Sequence, residues 1–365
     1  MTLMQTSIAD ATDRLLLDEA AIALAGAAAG EVVTIGDDEG ALTLGALAAG
    51  VSRVRVFQDS LASEQSLQAQ TQAGSVTNLT LGRELLAGAR VILLKLPKGL
   101  ADLEDIAADI AAFGAPDVVV FAGGRIKHMS LSMNEVLKRH FARFDVTHAR
   151  QKSRVLVARE PITGGGAQFR REFNTELGLW ICATGATFAG TKLDIGTRAL
   201  LAELPQVAPD ATSAVDLGCG SGVVAAILAR SRPALQVLAT DVSAGAVAST
   251  TATIAANGLT NVTVLRDDAL STQPDDCTDL VVLNPPFHDG TKLDTVTASK
   301  LFAAASRVLR PGGQLVTVYN SHLGHRAELD RIVGATRQLS RTTKFTVTLS
   351  TRPQATIHTA HKAGQ

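Results

Sequence analysis

The stretch Ala214-Val215-Asp216-Leu217-Gly218-Cys219-Gly220-Ser221-Gly222 limits the fold more than any other part of the chain. A short, mostly apolar run reads as a buried strand. Glycines spaced Gly-x-Gly-x-Gly then release it at once into an Ala-rich segment, 223–231, with helical apolar spacing. A strand that turns this tightly into a helix opens a βαβ unit, and the downstream sequence continues the alternation. Residues 236–239 form a second apolar strand ending in Thr240-Asp241-Val242-Ser243, and the next helix closes at Asn257-Gly258. A third strand covers 262–265, and a fourth, Leu280-Val281-Val282-Leu283, runs into Asn284-Pro285-Pro286-Phe287. The expected fold is α/β, a doubly wound, mostly parallel sheet.

The first half repeats the plan. Glu31-Val32-Val33-Thr34-Ile35-Gly36 is a strand entering a turn, and Arg53-Val54-Arg55-Val56-Phe57 is a second strand followed by Gln58-Asp59-Ser60. Val91 to Leu96 matches the strand before Asn284. The interval from Gly36 to Asp59 equals that from Gly218 to Asp241, which pairs those two acids and indicates an internal duplication. The copies part at the glycine run 163–167. The expected layout is therefore a first domain over 1–160, a linker over 161–175 and a second domain over 176–365. The first copy reads as disabled. Its turn is Gly36-Asp37-Asp38-Glu39-Gly40, where carboxylates would repel an anionic ligand group, and Lys95-Leu96-Pro97-Lys98 stands where the second copy has Asn284 to Phe287. It is expected to bind no cofactor and to serve substrate recognition.

The second turn is not a dinucleotide fingerprint. Val223 occupies the place of the third glycine, and Gly222 comes one position early. Gly-x-Gly-x-Gly after an acidic residue suits S-adenosylmethionine (SAM), with amides of Gly218, Cys219, Gly220 and Gly222 near the methionine end. Asp216 sits beneath and can order the turn or bind the ammonium. Asp241, at a strand end, can accept from both ribose hydroxyls, with Val242 beside it; a plain helix cap is the alternative. Asp267 or Asp268, the second favoured and followed by Ala269, can receive the adenine amino group, unless the pair is only a solvated turn.

Asn284-Pro285-Pro286-Phe287 supplies the catalytic reading. An exocyclic amine on a planar ring is a poor nucleophile because its lone pair is delocalised. The Asn284 side-chain oxygen and the Pro285 carbonyl can accept its N–H bonds and turn the lone pair toward a methyl group. Pro285 and Pro286 stiffen the loop, Phe287 offers a stacking face, and His288 could assist. Read without chemistry, the motif is a Pro-Pro turn after a buried strand. The upstream cofactor-like turn argues against that.

Composition sets bounds. The three cysteines, Cys182, Cys219 and Cys277, fit no zinc spacing or disulfide framework, so no metal is expected. No apolar run is long enough to span a membrane, and the N-terminus lacks a signal-peptide pattern, so a cytoplasmic location is expected. The net charge of −1 conceals an uneven distribution. Between Arg125 and Arg159 the bases Arg125, Lys127, Lys138, Arg139, Arg143, Arg150, Lys152 and Arg154 face only Glu135 and Asp145. The segment after His325 is also basic, whereas Arg14 is the only base before Gly50. Two basic segments suit a polyanion, and Arg125, Lys127, Arg139 and Arg143, with Phe287 and His288, are the expected substrate contacts. Ordinary solvated charge is the plain alternative.

The second half resembles class I SAM-dependent methyltransferases with an Asn-Pro-Pro-aromatic motif. The longer string Asn284 to Gly290, with Phe188-Ala189-Gly190-Thr191-Lys192-Leu193-Asp194-Ile195-Gly196-Thr197, Asp241-Val242-Ser243 and Ala255-Ala256-Asn257-Gly258, is similar to the guanine amino-methyltransferases of bacterial ribosomal RNA. That family has two tandem Rossmann-like methyltransferase domains, the first degenerate. The resemblance implies methylation of a guanine exocyclic amino group in ribosomal RNA, with that RNA or a ribosomal subunit as partner. Asp289-Gly290 is similar to the small-subunit enzymes. Lys95 to Lys98, Arg125-Ile126-Lys127-His128 and Asn320-Ser321-His322-Leu323 are similar to the large-subunit enzymes, to which the balance tips. The acidic first turn and the basic tail after Ser350 depart from the pattern. Two rivals remain: SAM-dependent methylation of a protein glutamine or DNA adenine, and a non-catalytic RNA-binding assembly factor. A monomer is expected, although the sequence carries no signal of oligomeric state.

Overall fold

A computed structural model of the chain describes residues 9–285 and 292–354. These residues divide into two compact units. The first runs to Arg171 and takes in Cys182–Gly190 and Val242–Ser249. The second comprises Glu172–Ile181, Thr191–Asp241 and the described residues from Thr250 onward.

The first unit contains α1 (Ala11–Ala25), β1 (Val32–Ile35), α2 (Ala41–Ala48), β2 (Val54–Phe57), α3 (Leu61–Gln70), β3 (Val76–Asn78) and α4 (Arg83–Leu86). It continues through β4 (Val91–Lys95), α5 (Leu100–Phe113), β5 (Val119–Arg125), α6 (Leu131–His140), β6 (Phe141–Val146) and β7 (Ser153–Pro161). The strand order is β3-β2-β1-β4-β5-β7-β6, with β7 antiparallel to both neighbours. Alternate residues of β1 serve opposite cores. Val32 packs with Leu15, Leu16 and Leu42, whereas Val33 and Ile35 pack with Leu103, Ile106 and Ile110. Both faces are covered, so the strands read in the sequence as continuous apolar runs.

A hairpin follows, β8 (Arg170–Asn174) and β9 (Leu179–Ala183). Next come α7 (Ile195–Glu203), β10 (Ser213–Leu217), α8 (Val223–Ser231), β11 (Gln236–Asp241), α9 (Ala244–Ala256), β12 (Val262–Arg266) and β13 (Thr278–Leu283). The chain then forms α10 (Lys292–Val308), β14 (Leu309–Asn320), α11 (Arg326–Ile332), β15 (Thr336–Arg341) and β16 (Phe345–Thr351). The order β12-β11-β10-β13-β14-β16-β15 matches that of the first sheet strand for strand. Again the two faces separate: Ala214, Leu280 and Val282 pack with Leu200, Ala225 and Leu228, while Val215, Val281 and Leu283 pack with Phe302 and Leu329. The expected duplicated, doubly wound α/β architecture is therefore the observed one.

Register makes the duplication residue-specific and corrects one pairing. Ile35 lies opposite Phe57 and Leu94, as Leu217 lies opposite Thr240 and Leu283. Gly36 thus matches Gly218 and Lys95 matches Asn284, but the counterpart of Asp241 is Gln58, not Asp59. Equal intervals misled because loop length, unlike hydrogen-bonded register, is free to differ by a residue. Gln58 is buried and donates from Nε2 to the Asp37 carbonyl at 2.9 Å.

The acidic turn also differs from expectation. Asp37 is buried and its carboxylate is spent on α2, accepting from Leu42 N at 3.1 Å, Thr43 N at 2.7 Å and Thr43 Oγ1 at 2.8 Å. Burial pushes its pKa up, and those hydrogen bonds only partly offset the push. Rather than repelling an anion from an open turn, Asp37 occupies the helix amides itself. Lys95, in the Asn284 position, is ion-paired to Asp13.

Among the described residues no helix is long and apolar enough to cross a membrane, and no cluster of His, Cys, Asp and Glu is arranged to hold a metal.

Candidate cofactor and acceptor site

Three loops of the second unit leave the sheet at one level. β10 sits between β11 and β13, with Leu217 paired to both Thr240 and Leu283. Gly218, Asp241 and Asn284 therefore emerge side by side at the carboxyl ends of the strands. This is where the strand order reverses, the usual ligand position in an open α/β sheet.

The glycine turn is an open cradle. Gly218, Gly220 and Gly222 have φ of 77°, 54° and 77°, values that L side chains rarely adopt. A Cβ at Gly218 or Gly220 would meet no atom within 4 Å, so the turn presents bare backbone to open space. At Gly222, by contrast, a Cβ would come 2.9 Å from Thr250 Cγ2, so that glycine is required for packing. The turn is fixed from both sides. The N–H groups of Gly218 and Cys219 donate to the Thr240 carbonyl at 2.8 and 3.0 Å, and Gly220 N donates to Asp241 Oδ2 at 3.0 Å. The first N–H groups of α8, at Val223 and Val224, have no intrahelical acceptor by helix geometry and carry the positive end of the helix dipole. An amino-acid carboxylate fits such a cradle.

Asp216 lies under the turn, 3% exposed, and its Oδ2 accepts from Ala225 N at 2.9 Å. Burial, with Asp241 nearby, raises its pKa to about 7 despite that hydrogen bond. Of its two anticipated roles, ordering the helix start is the one with a bond on it. The copies achieve this cap differently: Asp216 reaches up from the strand, whereas the first copy has Thr34 there and caps α2 from the turn with Asp37. Cys219 is buried and accepts from Thr250 Oγ1 at 3.2 Å, and burial lifts its thiol far above the usual range. It contributes backbone, not thiolate chemistry.

The other expected cofactor contacts are placed as follows. Val242 falls with the first unit, where its carbonyl accepts from Leu61 N at 3.0 Å. Asp267 is folded into its own loop, accepting from Ser271 Oγ at 2.7 Å and Thr272 Oγ1 at 2.7 Å. Burial would raise its pKa, but those bonds outweigh burial and hold it below the usual range. Asp268 instead meets Lys300 Nζ of α10 at 2.6 Å. Ala269 follows with φ 53°, a left-handed conformation costly for a non-glycine.

Asn284 is held by residues that sequence reasoning did not single out. Its Nδ2 donates to Thr197 Oγ1 at 3.0 Å and lies 3.4 Å from Asp194 Oδ2. Asp194 caps α7, accepting from Thr197 N at 3.0 Å. A carboxylate only accepts, so the amide NH2 must face it. Asn284 Oδ1 is then the atom left to accept a further hydrogen bond. Below it, buried Thr317 donates from Oγ1 to the Leu283 carbonyl at 3.0 Å, pinning the strand end. Asp194 and Thr197 fell inside a stretch noted for its resemblance, but nothing local marks them as partners of a residue 90 positions away. Pro285 is buried; Pro286, Phe287 and His288 lie outside the described residues.

The basic residues separate into paired and unpaired groups, all within the first unit. Arg139 is ion-paired to Glu104, and Arg143 lies 3.7 Å from Asp145, which also takes Arg159 at 2.7 Å. Arg125 and Lys127, at the end of β5 and in a 3₁₀ turn, have no carboxylate partner among the described residues. Lys152 joins them: Ile126 N donates to the Lys152 carbonyl at 3.0 Å, and Arg125 pairs with Ser153. Arg170 is tied to Asp105 at 2.9 Å.

Comparison with known proteins adds an independent line. Residues 178–349 match the methyltransferase small domain family, and residues 6–161 match the RLMG N-terminal domain family. The chain is 35% identical to the ribosomal RNA large subunit methyltransferase G of Streptomyces avermitilis, covering 93% of this chain and 91% of the relative. Identity to the Streptomyces coelicolor protein of that name is 34%, over 87% of each, and to the Pseudomonas aeruginosa one 33%, over 70% and 69%. A solved T. Thermophilus 16S rRNA N2 G1207 methyltransferase (RsmC), in complex with AdoMet and guanosine, superposes with a TM-score of 0.77. It covers 95% of this chain and 93% of that one, at 20% identity, which establishes the shared fold. With two strand-for-strand copies, one open glycine cradle and relatives matched nearly end to end, the chain belongs to the ribosomal RNA large subunit methyltransferase G family.

Proposed function

We propose that this protein transfers a methyl group from SAM to the exocyclic amino group of a guanine in ribosomal RNA, that of the large subunit in preference to the small. The observation that carries the reading is Asn284, orientated by Asp194 and Thr197 so that Oδ1 is presented beside the open turn 218–222. The relatives' name supplies the RNA and the subunit.

When bound, SAM supplies a methyl group activated by a sulfonium. The chain's own residues do the rest. The first amides of α8, at Val223 and Val224, receive the amino-acid end, because those of Gly218, Cys219, Gly220 and Gly222 are taken within the turn, and Asp241, kept in place through Gly220 N, faces the ribose hydroxyls. Asp268 is the group for the adenine amine. Asn284 Oδ1 and the Pro285 carbonyl accept the two N–H bonds of the guanine amine. Its lone pair is thereby freed for in-line displacement, and catalysis is mainly positioning.

The first unit serves RNA recognition and carries no cofactor. Its helix amides are occupied by Asp37, Gln58 stands where the diol-binding carboxylate would be, and Lys95 is ion-paired. Arg125 and Lys127 are its phosphate contacts, Arg139 and Arg143 being engaged with acids. We take the acting species to be a monomer, working where ribosomes are assembled, in the cytoplasm. The test is labelled-methyl transfer to stripped large-subunit RNA, small-subunit RNA, DNA and release factor in parallel. Label in large-subunit RNA supports the reading; label only in DNA or release factor refutes it.

A further inference from the structure

The hairpin β8–β9 carries an exposed aromatic pair that neither the cofactor site nor the acceptor loop uses. Trp180, the chain's only tryptophan, is 37% exposed, and Phe173 is 49% exposed. Their rings meet edge to face, centroids 5.3 Å apart at 63°. On β9 the flanking Leu179 and Ile181 are buried, so strand alternation turns residue 180 outward. A polar residue would satisfy that position, yet the largest apolar side chain stands there, partly exposed.

The hairpin backbone is held at Trp180 and at its turn. Asn257 accepts from Trp180 N at 3.0 Å and donates from Nδ2 to the Trp180 carbonyl at 2.8 Å. The same Nδ2 also reaches the Thr253 carbonyl at 2.8 Å. The hairpin turn is clamped by Arg230, whose guanidinium donates to the Leu177 and Gly178 carbonyls at 2.6 and 2.8 Å. Those partners are neutral, so the positive charge remains. Glu176 in the turn is neutralised by Arg198 at 2.8 Å.

Resting on the RNA reading above, we infer that Phe173 and Trp180 form a stacking platform for an unpaired base of the ribosomal RNA substrate. Two rings in edge-to-face contact, on a hairpin whose turn carries the Arg230 guanidinium, suit a base and its phosphate. Single-stranded RNA is recognised in this way, by unstacked bases laid on aromatic side chains with a cation near the phosphate.

Because Trp180 is the only tryptophan, its fluorescence reports on this surface directly. Titrating the intact wild-type protein with a short single-stranded RNA should give saturable quenching, which SAM alone does not produce. Trp180→Ala and Phe173→Ala should each raise the KM for ribosomal RNA about tenfold, as loss of one base stack implies, with the SAM Kd unchanged. Trp180→Phe should restore most of the loss. No quenching by RNA, or both alanine variants within about twofold of wild type in KM while methylation proceeds, overturns the platform. So does a loss confined to assembled subunits with naked RNA unaffected, which would make the surface a ribosomal-protein contact. Failure of the wild-type protein to methylate any ribosomal RNA would instead count against the underlying function.

Discussion

In the proposed mechanism Asn284 turns a sheet end into the catalytic site, and its amide is orientated by Asp194 and Thr197. If Asp194 holds the amide with Oδ1 outward, Asp194→Ala should lower kcat about tenfold or more through misorientation, with SAM affinity little changed. The same change removes the cap of α7 at about 1 kcal/mol. Asp194→Asn, which keeps a cap but offers Asn284 an amide, separates the two effects: near-normal stability with reduced kcat is expected, and wild-type kcat would show Asp194 to be a cap only. Asn284→Ala should cost about 10²–10³ in kcat, in line with loss of one preorganised polar contact to a transition state. Asp216 gives a pH signature. Its folded pKa of about 7 lies above the ordinary 3.8, so between those values the folded state holds a proton that the unfolded chain has lost. Its contribution therefore falls as pH rises from about 4 to about 7 and is flat beyond. Urea unfolding of Asp216→Asn should show a shallower decline over that range than wild type; parallel curves would contradict a buried, protonated Asp216.

At the scale of elements, the two turns show how a cofactor cradle can be closed without altering the fold. Both helices start from a left-handed glycine, Gly40 and Gly222, and both take a carboxylate on the third helical amide. Moving that carboxylate from the strand to the turn fills the cradle. Asp37→Ala should therefore destabilise the first unit by about 1–3 kcal/mol, as loss of a buried acceptor for helix amides implies, and leave the SAM Kd unchanged. A weakened SAM Kd would mean that the turn takes part in cofactor binding. These elements were legible because parallel strands buried on both faces leave continuous apolar runs: residues 223–231 as a helix and 280–283 as a strand agree with α8 and β13. Pairing was less legible. Interval aligns Asp59 with Asp241, whereas hydrogen-bonded register aligns Gln58 with it. The Asn284–Asp194 contact leaves no local trace, and neither does the ion pair between Arg139 and Glu104, which are far apart in sequence.

For the whole molecule, the proposed function makes the bases without a carboxylate partner the ones that meet RNA. One basic segment runs from Arg125 to Arg159, and the structure divides it into engaged and unengaged residues. Arg125→Ala with Lys127→Ala should weaken RNA binding and reduce the slope of log affinity against log salt by about two, whereas Arg139→Ala should change it by less than one. Equal slopes would remove the first unit's basic turn from the interface. The central claim is narrower, that Asn284 positions a guanine amine for methylation. The most direct measurement is labelled-methyl transfer to large-subunit ribosomal RNA from a strain lacking this gene, followed by nucleoside analysis, with wild type and Asn284→Ala side by side. The account predicts label in N2-methylguanosine for wild type and a near-complete loss for the variant with SAM binding retained. Label in another nucleoside, or equal turnover by the variant, would contradict it.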